Sequence, residues 1–139
     1  MVEIKNLTRQ KVKQNLIIKK VEEILLKERA DNWDISICLV GCAKIKELNR
    51  RFRRKNSSTD VLSFTGLEIQ GSKKRVGEVF ICLKEVANNA RKSGLSIQKT
   101  LDWAVVHAIL HLLGYDHEKS SDTAAKMSRK EQEYAKISN

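Results

Sequence analysis

Residues 104–113 read AVVHAILHLL, a run whose only polar side chains are His107 and His111. A helix that is apolar around its whole circumference is buried in the core of its domain. Histidines four residues apart lie on the same face of a helix, about one turn from each other. The run therefore predicts a central buried helix that presents two imidazoles in one direction. Ser96 is placed to cap its beginning and Gly114 to end it.

The elements on either side of this helix are predicted from the spacing of their apolar residues. In chain order we predict a strand at 2–6, a helix at 10–30, a strand at 33–41, a helix marked by Ile45, Leu48 and Phe52, strands at 58–64 and 76–83, and helices at 84–93, 97–113 and 121–137. This β-α-β-α-β-β-α-α-α order predicts one α+β domain over residues 1–139. Its mixed four-stranded sheet is expected to be covered by about five helices.

The composition indicates a soluble globular protein. Of 139 residues, 41% are hydrophobic and 32% charged, and no apolar run approaches the length of about 20 residues that spans a bilayer. The first ten residues, MVEIKNLTRQ, lack the apolar segment of a secretory signal. We therefore expect a cytoplasmic protein with no membrane partner.

The three cysteines are expected to be buried hydrophobic residues. Cys38, Cys42 and Cys82 are odd in number and lie in apolar stretches. The C-x3-C spacing of the first two suggests a metal site, but no second Cys or His pair accompanies them. A core role is the better interpretation.

The charge favours a nucleic-acid partner. The 27 basic and 17 acidic residues give a net charge of +10. The excess is concentrated at 44–55, KIKELNRRFRRK, where seven residues are basic and one is acidic. A solvated basic surface is the simpler explanation, but an excess of this size on a small domain is typical of nucleic-acid binders.

All three histidines of the chain lie within residues 107–117, HAILHLLGYDH. The turn at Gly114 can bring His117 back towards His107 and His111. A catalytic zinc site uses three protein ligands, with the fourth tetrahedral position open to water. Hydrogen-bonded core histidines are the alternative, but a buried ring without a partner costs about 1–3 kcal/mol. We predict a metal site at the end of the central helix with zinc preferred, although nickel, cobalt and copper also accept imidazoles.

The spacing H-x3-H-x2-G-x2-H is also that of the metzincin proteases. Those enzymes use the glutamate that follows the first histidine as general base. Ala108 stands at that position here, so the metal geometry is kept and the base of a peptidase is missing.

At this point a family resemblance emerges. HAILHLLGYDH (107–117) resembles the H-G-x-L-H-L-x-G-Y-D-H signature of the YbeY family, metal-dependent endoribonucleases of ribosomal RNA maturation. LNRRFRRKNSSTDVLSF (48–64) resembles the family's L-N-x-x-Y-R-G-K-D-x-P-T-D-V-L-S-F, and GEVFIC (77–82) resembles its Gly-Asp strand. The chain departs from the family pattern at Arg54, Asn56, Ser58, Thr65, Glu78 and Ala108. None of these changes removes a metal ligand, but Arg54 and Ser58 alter the loop that follows the basic helix.

The resemblance implies that His107, His111 and His117 bind the metal and that Arg53 is functionally important. It implies single-stranded RNA as substrate, maturation of the 3′ end of 16S ribosomal RNA, and a part in ribosome quality control. Its expected partners are ribosomal RNA, the small ribosomal subunit and assembly factors. A non-catalytic assembly factor with a structural zinc is the alternative, in which the protein itself would fill the fourth position.

Several roles stay open from the sequence alone. Arg53 suits bidentate binding of a phosphate. Non-specific phosphate attraction is expected of its basic neighbours Arg50, Arg51, Arg54 and Lys55. Asp116 either orients a ligand ring or shapes the turn. Asp60 and Ser63 either reach the cleft or close the sheet edge. No residue stands out as general base, so water activated by the metal and the RNA 2′-hydroxyl are both candidate nucleophiles.

Overall fold

The computed structural model describes residues 1–66, 74–115 and 121–136. Its elements are, in chain order, β1 Val2–Asn6, α1 Gln14–Lys27, β2 Trp33–Val40, α2 Cys42–Arg53, β3 Val61–Thr65, β4 Arg75–Cys82, α3 Leu83–Ser93, α4 Ile97–Leu112 and α5 Ser121–Lys136. The predicted order of elements is confirmed, and with it the single α+β domain. None of the described helices combines the length and hydropathy needed to cross a membrane.

The four strands form one mixed sheet in the order β1-β2-β4-β3. β1, β2 and β4 run parallel to one another, with Ile37 of β2 opposite Ile4 on one side and Val79 on the other. β3 is antiparallel to β4 and places Leu62 opposite Phe80. The predicted mixed sheet is confirmed, and β3 is one of its two edge strands.

Alternation along β2 divides the apolar interior into two clusters. Ile35 and Ile37 belong to a large cluster that also takes in residues of α1, α3, α4 and α5. Val40 belongs to a small cluster, in which Ile45 and Leu48 of α2 are buried. Because side chains alternate between the two faces of a sheet, α2 lies on the face opposite to α4. The sheet therefore separates the basic helix from the histidine-bearing helix.

The ends of α4 are formed by the residues that the sequence predicts. Ser96 Oγ accepts a hydrogen bond from the backbone nitrogen of Lys99 at 3.1 Å, which caps the beginning of the helix. At the other end, Gly114 has a φ of +101°, and the nitrogen of Tyr115 donates to the oxygen of Leu110 at 3.0 Å. Such a left-handed glycine satisfies the last carbonyls of a helix and turns the chain away.

Close approach of α4 to the sheet depends on Gly77 of β4. A Cβ atom built at this buried glycine would lie 2.7 Å from Cδ1 of Leu112 and 3.0 Å from Cδ1 of Ile35. Both distances are shorter than an ordinary van der Waals contact. The missing side chain thus allows the last turn of α4, which carries His111, to rest directly on β4.

The prediction for the first helix is too long at both ends. Asn6 donates from Nδ2 to the oxygen of Gln10 at 2.6 Å. This local turn keeps residues 10–13 out of the helix, which begins at Gln14. At the other end, Arg29 adopts a left-handed φ of +55°. The helix therefore stops at Lys27, although the residue that ends it is not a glycine.

The strand predicted over residues 58–64 begins later, at Val61. Residues 54–60 form a loop, and Asn49, which is buried, holds that loop by donating from Nδ2 to the oxygen of Ser57 at 3.0 Å. Asp60 then accepts from Asn89 of α3 at 3.4 Å. Side-chain bonds to these polar residues therefore fix the chain before it enters the sheet.

A polar network around Glu28 joins α1 to α5. The carboxylate accepts hydrogen bonds from the hydroxyls of Tyr115 and Tyr134 and from Nζ of Lys130. Burial alone would raise the pKa of Glu28, but these three donors outweigh it and hold the pKa below the ordinary value of 4.5. Burial, and then the bond to Glu28, raises the pKa of Tyr115 to about 12. The network fixes the helix that follows the histidine segment.

Candidate active-site cleft

His107 and His111 project from the last two turns of α4 in the same direction. Their rings are nearly parallel, with an interplanar angle of 5° and centroids 6.5 Å apart. The expectation that both rings are buried is wrong, because the side chain of His107 is 43% exposed and His111 is exposed. The other residues of α4 from Ala104 to Leu112 are buried, so the two imidazoles form the open face of this part of the helix.

Glu131 of α5 lies behind the first histidine. Its Oε2 is 3.1 Å from Nδ1 of His107, and the carboxylate side chain is only 9% exposed. An ionised carboxylate only accepts hydrogen bonds, so Nδ1 of the neutral ring carries the proton and Nε2 keeps its lone pair. This is the arrangement that orients a histidine for a metal ion.

Arg53 enters the site from the end of α2. Its Nη2 donates to the backbone oxygen of Ser63 at 2.8 Å, and its Cζ lies 5.2 Å from the centroid of the Phe64 ring. One bond and one ring thus position the guanidinium against β3. The side chain is otherwise exposed, which leaves it accessible to a phosphate.

These side chains meet in one cleft of about 500 Å³ between α4, α5 and the loop before β3. The residues that line it are Asn49, Arg53, Lys55, Ser57, Ser58, Thr59, Val61, Leu62, Ser63, His107, Ala108, His111 and Met127. None of these lining residues is acidic, while two are permanently cationic. A cleft with this charge attracts anions and concentrates a polyanion beside the imidazoles.

The residues at 54, 58, 60 and 63 differ in how they relate to the cleft. Ser63 and Ser58 line it, and the Oγ of Ser58 is buried without a hydrogen-bond partner in the part of the chain that the structure describes. Asp60 instead binds Asn89 and does not line the cleft. Arg54 ends α2 in the left-handed conformation with a φ of +57°, a backbone that explains why the YbeY pattern has glycine there.

Of the basic residues predicted to attract phosphate, Lys55 lies in the cleft. Arg50 and Arg51 are exposed on α2 outside it. All three cysteines are free thiols, and Cys82 is fully buried while Cys38 and Cys42 are half-buried against the small cluster. Their packing agrees with the core role expected for them.

The third predicted ligand, His117, lies outside the described residues, as does Asp116. Among residues 1–66, 74–115 and 121–136, no three His, Cys, Asp or Glu side chains form a cluster that would hold a metal ion. The two described imidazoles do fit such an ion in their chemistry. They share one face, the first is oriented through Nδ1 by Glu131, and both border the cleft.

Sequence reasoning missed Glu131, although a signal for it was present. Met127, Glu131 and Tyr134 are spaced by four and three residues and are all buried on α5. A carboxylate within the apolar stripe of a helix needs a partner in the interior. That partner is His107, which is 24 residues away in sequence and therefore invisible to any local pattern.

A second cavity, of about 590 Å³, lies beside Glu28, Trp33 and Tyr115. Its lining contains no histidine in the described part of the chain. Despite its size, it therefore lacks the imidazoles that distinguish the cleft.

Comparison with known proteins identifies one family. A family model described as Endoribonuclease YbeY matches residues 3–139. The Endoribonuclease YbeY of an Anaeromyxobacter species is 47% identical over 108 residues, which make up 78% of this chain and 55% of that relative. The Endoribonuclease YbeY of Thermodesulfovibrio yellowstonii is 44% identical over 115 residues, 82% of this chain and 72% of the relative. The chain thus spans little more than half the length of the first of these proteins.

A solved structure shows the same fold. The solution structure of a Thermotoga maritima protein is 34% identical in sequence and superimposes with a TM-score of 0.68. The match covers 99% of this chain and 89% of that protein. Since the family model matches residues 3–139 and the second relative is 44% identical over 72% of its length, this chain belongs to the YbeY family.

Proposed function

We propose that this protein is a metal-dependent endoribonuclease that cleaves single-stranded RNA during ribosomal RNA processing. Within that process we assign it to maturation of the 3′ end of 16S ribosomal RNA and to ribosome quality control. The small ribosomal subunit and its assembly factors are the proposed partners, and the cytoplasm is the proposed location. The relatives named Endoribonuclease YbeY support the activity, and the net charge of +10 supports an RNA substrate.

One observation carries the proposal. The two imidazoles of α4 and the guanidinium of Arg53 reach the same cleft from opposite faces of the sheet. Imidazoles are metal ligands, and a guanidinium is the side chain best suited to hold a phosphate in a fixed geometry. Their meeting in a cleft whose described lining is basic supports phosphodiester cleavage.

His107, His111 and His117 would hold a zinc ion. Zinc supplies Lewis acidity, which polarises a phosphoryl oxygen and lowers the pKa of water towards about 7. Glu131 keeps the proton of His107 on Nδ1, so that Nε2 is the nitrogen available to the metal.

Arg53 binds the phosphate at the scissile bond. The bond from Nη2 to Ser63 fixes the plane of the guanidinium and leaves its remaining N–H groups to donate to phosphate oxygens. Negative charge grows on these oxygens as the phosphorus becomes five-coordinate, so the same donors hold the transition state more tightly than the substrate. Lys55, in the same cleft, attracts a neighbouring phosphate.

The first experiment measures metal content by mass spectrometry on protein purified without a polyhistidine tag. We expect one zinc per chain in the wild type and none in His111→Ala. Cleavage of a labelled single-stranded RNA should be lost in the same variant. Intact cleavage by metal-free His111→Ala would overturn the proposal.

Arg53 is tested with two variants and a matched control. Arg53→Ala should keep its zinc but lose about 10²–10³-fold in kcat, the usual effect of removing one transition-state donor. Arg53→Lys should recover only part of this loss, because an ammonium does not bind bidentately. Arg91→Ala removes the same charge from an exposed site on α3 and should cleave at the wild-type rate. Equal losses at both arginines would mean that only net charge matters.

Chelation separates an enzyme from an assembly factor with a structural metal. Removing the ion should abolish cleavage and leave the circular dichroism spectrum unchanged, because the large cluster holds α4 without it. Unfolding on chelation, together with no cleavage by the zinc-loaded protein, would identify a structural role.

A further inference from the structure

Phe52 is an exposed aromatic residue beside the cleft. The sequence places it on the apolar face of α2 with Ile45 and Leu48, but that expectation is wrong for this residue. Ile45 and Leu48 are buried, whereas Phe52 is 58% exposed. Its ring contacts Phe64 edge to face, with centroids 5.4 Å apart, and Phe64 contacts Phe80 in the same way at 6.0 Å. The inner two rings thus support an outermost ring that faces solvent.

Two guanidinium groups lie beside this row of three phenylalanine rings. Cζ of Arg51 lies 5.5 Å from the centroid of Phe52, and Cζ of Arg53 lies 5.2 Å from that of Phe64. A cation beside an exposed ring is the combination by which proteins hold single-stranded nucleic acid, since the ring stacks on a base and the cation holds its phosphate.

A groove of about 410 Å³ runs along these rings. It is lined by Phe52, Arg53, Ser63, Phe64, Thr65, His111 and Leu112. Arg53, Ser63 and His111 also line the cleft, so the groove continues from the candidate active site. A strand with one phosphate at Arg53 would therefore lead its neighbouring nucleotide towards Phe52.

We propose that Phe52, supported by Phe64, is a stacking platform for one unpaired nucleobase next to the scissile phosphate. This rests on the proposed function and assigns its substrate a specific requirement. In a duplex both faces of a base are covered by its neighbours, so only an unpaired base can stack on the ring. The platform thus selects single-stranded RNA at one defined position.

Charge distinguishes a nucleotide from an apolar partner as the occupant. Single exposed hydrophobic side chains are common and need no explanation, but here Arg51 lies over the Phe52 ring and Arg53 over the neighbouring Phe64 ring. The groove along these rings shares Arg53 with the cleft, whose lining has no acidic side chain among the described residues. An apolar peptide would cover the guanidinium groups without pairing them. A nucleotide satisfies both features, since its base covers the ring and its phosphate pairs with a cation.

The first test measures how strongly each bond of one labelled RNA is cleaved, as a ladder of products. The substrate is a 5′-labelled uridine oligomer in which a single residue is abasic, and the products are separated at nucleotide resolution. Wild type should show a gap at one bond, at a fixed offset from the abasic residue. The gap should amount to about 5- to 150-fold, since stacking contributes about 1–3 kcal/mol per base and 1.4 kcal/mol is a tenfold change. Phe52→Ala should cut all bonds more weakly by that factor and show no gap.

Two further variants control for the ring. Phe52→Tyr keeps the aromatic face and should restore the gap, whereas Phe52→Leu keeps apolar volume and should not. Leu26→Ala removes a 72% exposed apolar side chain from α1 and should leave the ladder as in wild type. Zinc content and the thermal unfolding midpoint of each variant show that the fold and the metal are retained.

The second test measures binding and does not depend on cleavage. Fluorescence anisotropy compares an oligodeoxyuridine, which an endoribonuclease does not cut, with an abasic oligomer of the same length and charge. Wild type should prefer the oligodeoxyuridine by at least about 5-fold, and Phe52→Ala should bind both equally. The salt dependence of binding should be unchanged in Phe52→Ala, because no cation is lost, and weaker in Arg51→Ala.

The outcomes separate this inference from the proposed function. A ladder without a gap in wild type, or a gap that persists in Phe52→Ala, overturns the stacking platform while the nuclease stands. Absence of cleavage with a clear preference for the base-containing oligomer overturns the nuclease and supports the platform. Equal binding of both oligomers by wild type overturns the platform.

Discussion

The two walls of the cleft are supported by hydrophobic clusters of very different size. The histidine wall, His107 and His111, stands on α4, whose buried residues belong to the large cluster of 23 buried residues in the described chain. The arginine wall, Arg53 and Lys55 at the end of α2, rests on the small cluster, which has five. Since local stability follows buried apolar contact, the imidazoles are held in place by the fold as a whole, while the arginine wall is held locally.

This difference suits the roles that we propose for the two walls, which are metal binding and phosphate binding. Metal ligands need to be fixed before the ion arrives, because a displacement of a fraction of an ångström lowers affinity. A substrate that is a flexible strand is better met by a wall that can adjust. The following predictions test how far the two walls are independent.

The largest expected effect compares two fully buried isoleucines. Ile109→Ala in the large cluster should lower the free energy of unfolding by about 2–5 kcal/mol, and metal affinity should fall with it. Ile45→Ala in the small cluster should cost less, near the lower end of that range, because the exposed side of α2 can relax. Urea unfolding with m-values measures both.

The same two isoleucine variants should also differ in RNA binding and in zinc content. Ile45→Ala should weaken binding of single-stranded RNA and keep one zinc per chain. A loss of zinc in Ile45→Ala equal to that in Ile109→Ala would show that the walls are one cooperative unit.

The next effect concerns Glu28, whose network secures α5 behind the histidine wall. Its folded-state pKa is lowered below 4.5, so the carboxylate stabilises the fold at neutral pH and this contribution is lost as the pH falls through the lowered pKa. Glu28→Gln should be less stable than wild type at pH 7 by about 1.5–3 kcal/mol, the typical size of hydrogen bonds to a charged group. Urea midpoints measured from pH 7 downwards should converge below pH 4.5. A difference that is constant with pH would refute the charge-based explanation.

A smaller effect is expected at the contact between α4 and the sheet. Gly77→Ala places a methyl group against Leu112 and Ile35 and should cost about 1–3 kcal/mol, as overpacking does. Gly41→Ala is the matched control, since nothing lies within 4 Å of its added Cβ. Because Leu112 follows His111, Gly77→Ala should also weaken zinc binding. If both glycine variants unfold at the same urea concentration, α4 is not held by this contact.

The smallest expected effect is a gain in stability, at the end of α2 in the arginine wall. Arg54 occupies the left-handed region with a φ of +57°, which costs a side-chain-bearing residue about 1–2 kcal/mol. Replacement by glycine removes this strain, but part of the gain is lost because glycine makes the unfolded chain more flexible. Arg54→Gly should therefore raise the free energy of unfolding by about 0.5–1 kcal/mol. Lys46→Gly removes the same charge from the interior of α2 and should instead cost about 1 kcal/mol. Thermal unfolding of both variants at equal ionic strength decides the sign.

The sequence was sufficient for features with a short period. The order of the nine elements in the described part of the chain follows from apolar spacing, and the cap at Ser96 and the stop at Gly114 follow from local chemistry. The shared face of His107 and His111 follows from their spacing of four residues. Each of these features is decided within one or two turns of chain, where a pattern is informative.

Other features depend on residues far apart in the chain. The bond between Glu131 and His107 joins two helices, and no local pattern reports it. The exposure of Phe52 was missed because its spacing from Leu48 fits a buried stripe, whereas its ring contacts only the edge strand, through Phe64, and stays 58% exposed. Arg29 and Arg54 adopt backbone conformations that a sequence assigns to glycine. In each case the next residue donates a backbone hydrogen bond to a carbonyl in the last turns of the helix, Ala30 to Leu25 and Lys55 to Asn49.

The bond from Arg53 to the oxygen of Ser63 has a consequence for the solution behaviour of the protein. β3 is an edge strand, and the outward-facing backbone groups of such a strand invite pairing with another molecule. The guanidinium occupies one of these acceptors and places a positive charge beside it. The arginine that we propose as the phosphate ligand thereby also protects the sheet edge from self-association, so variants that lack it should be assayed for aggregation as well as for lost cleavage.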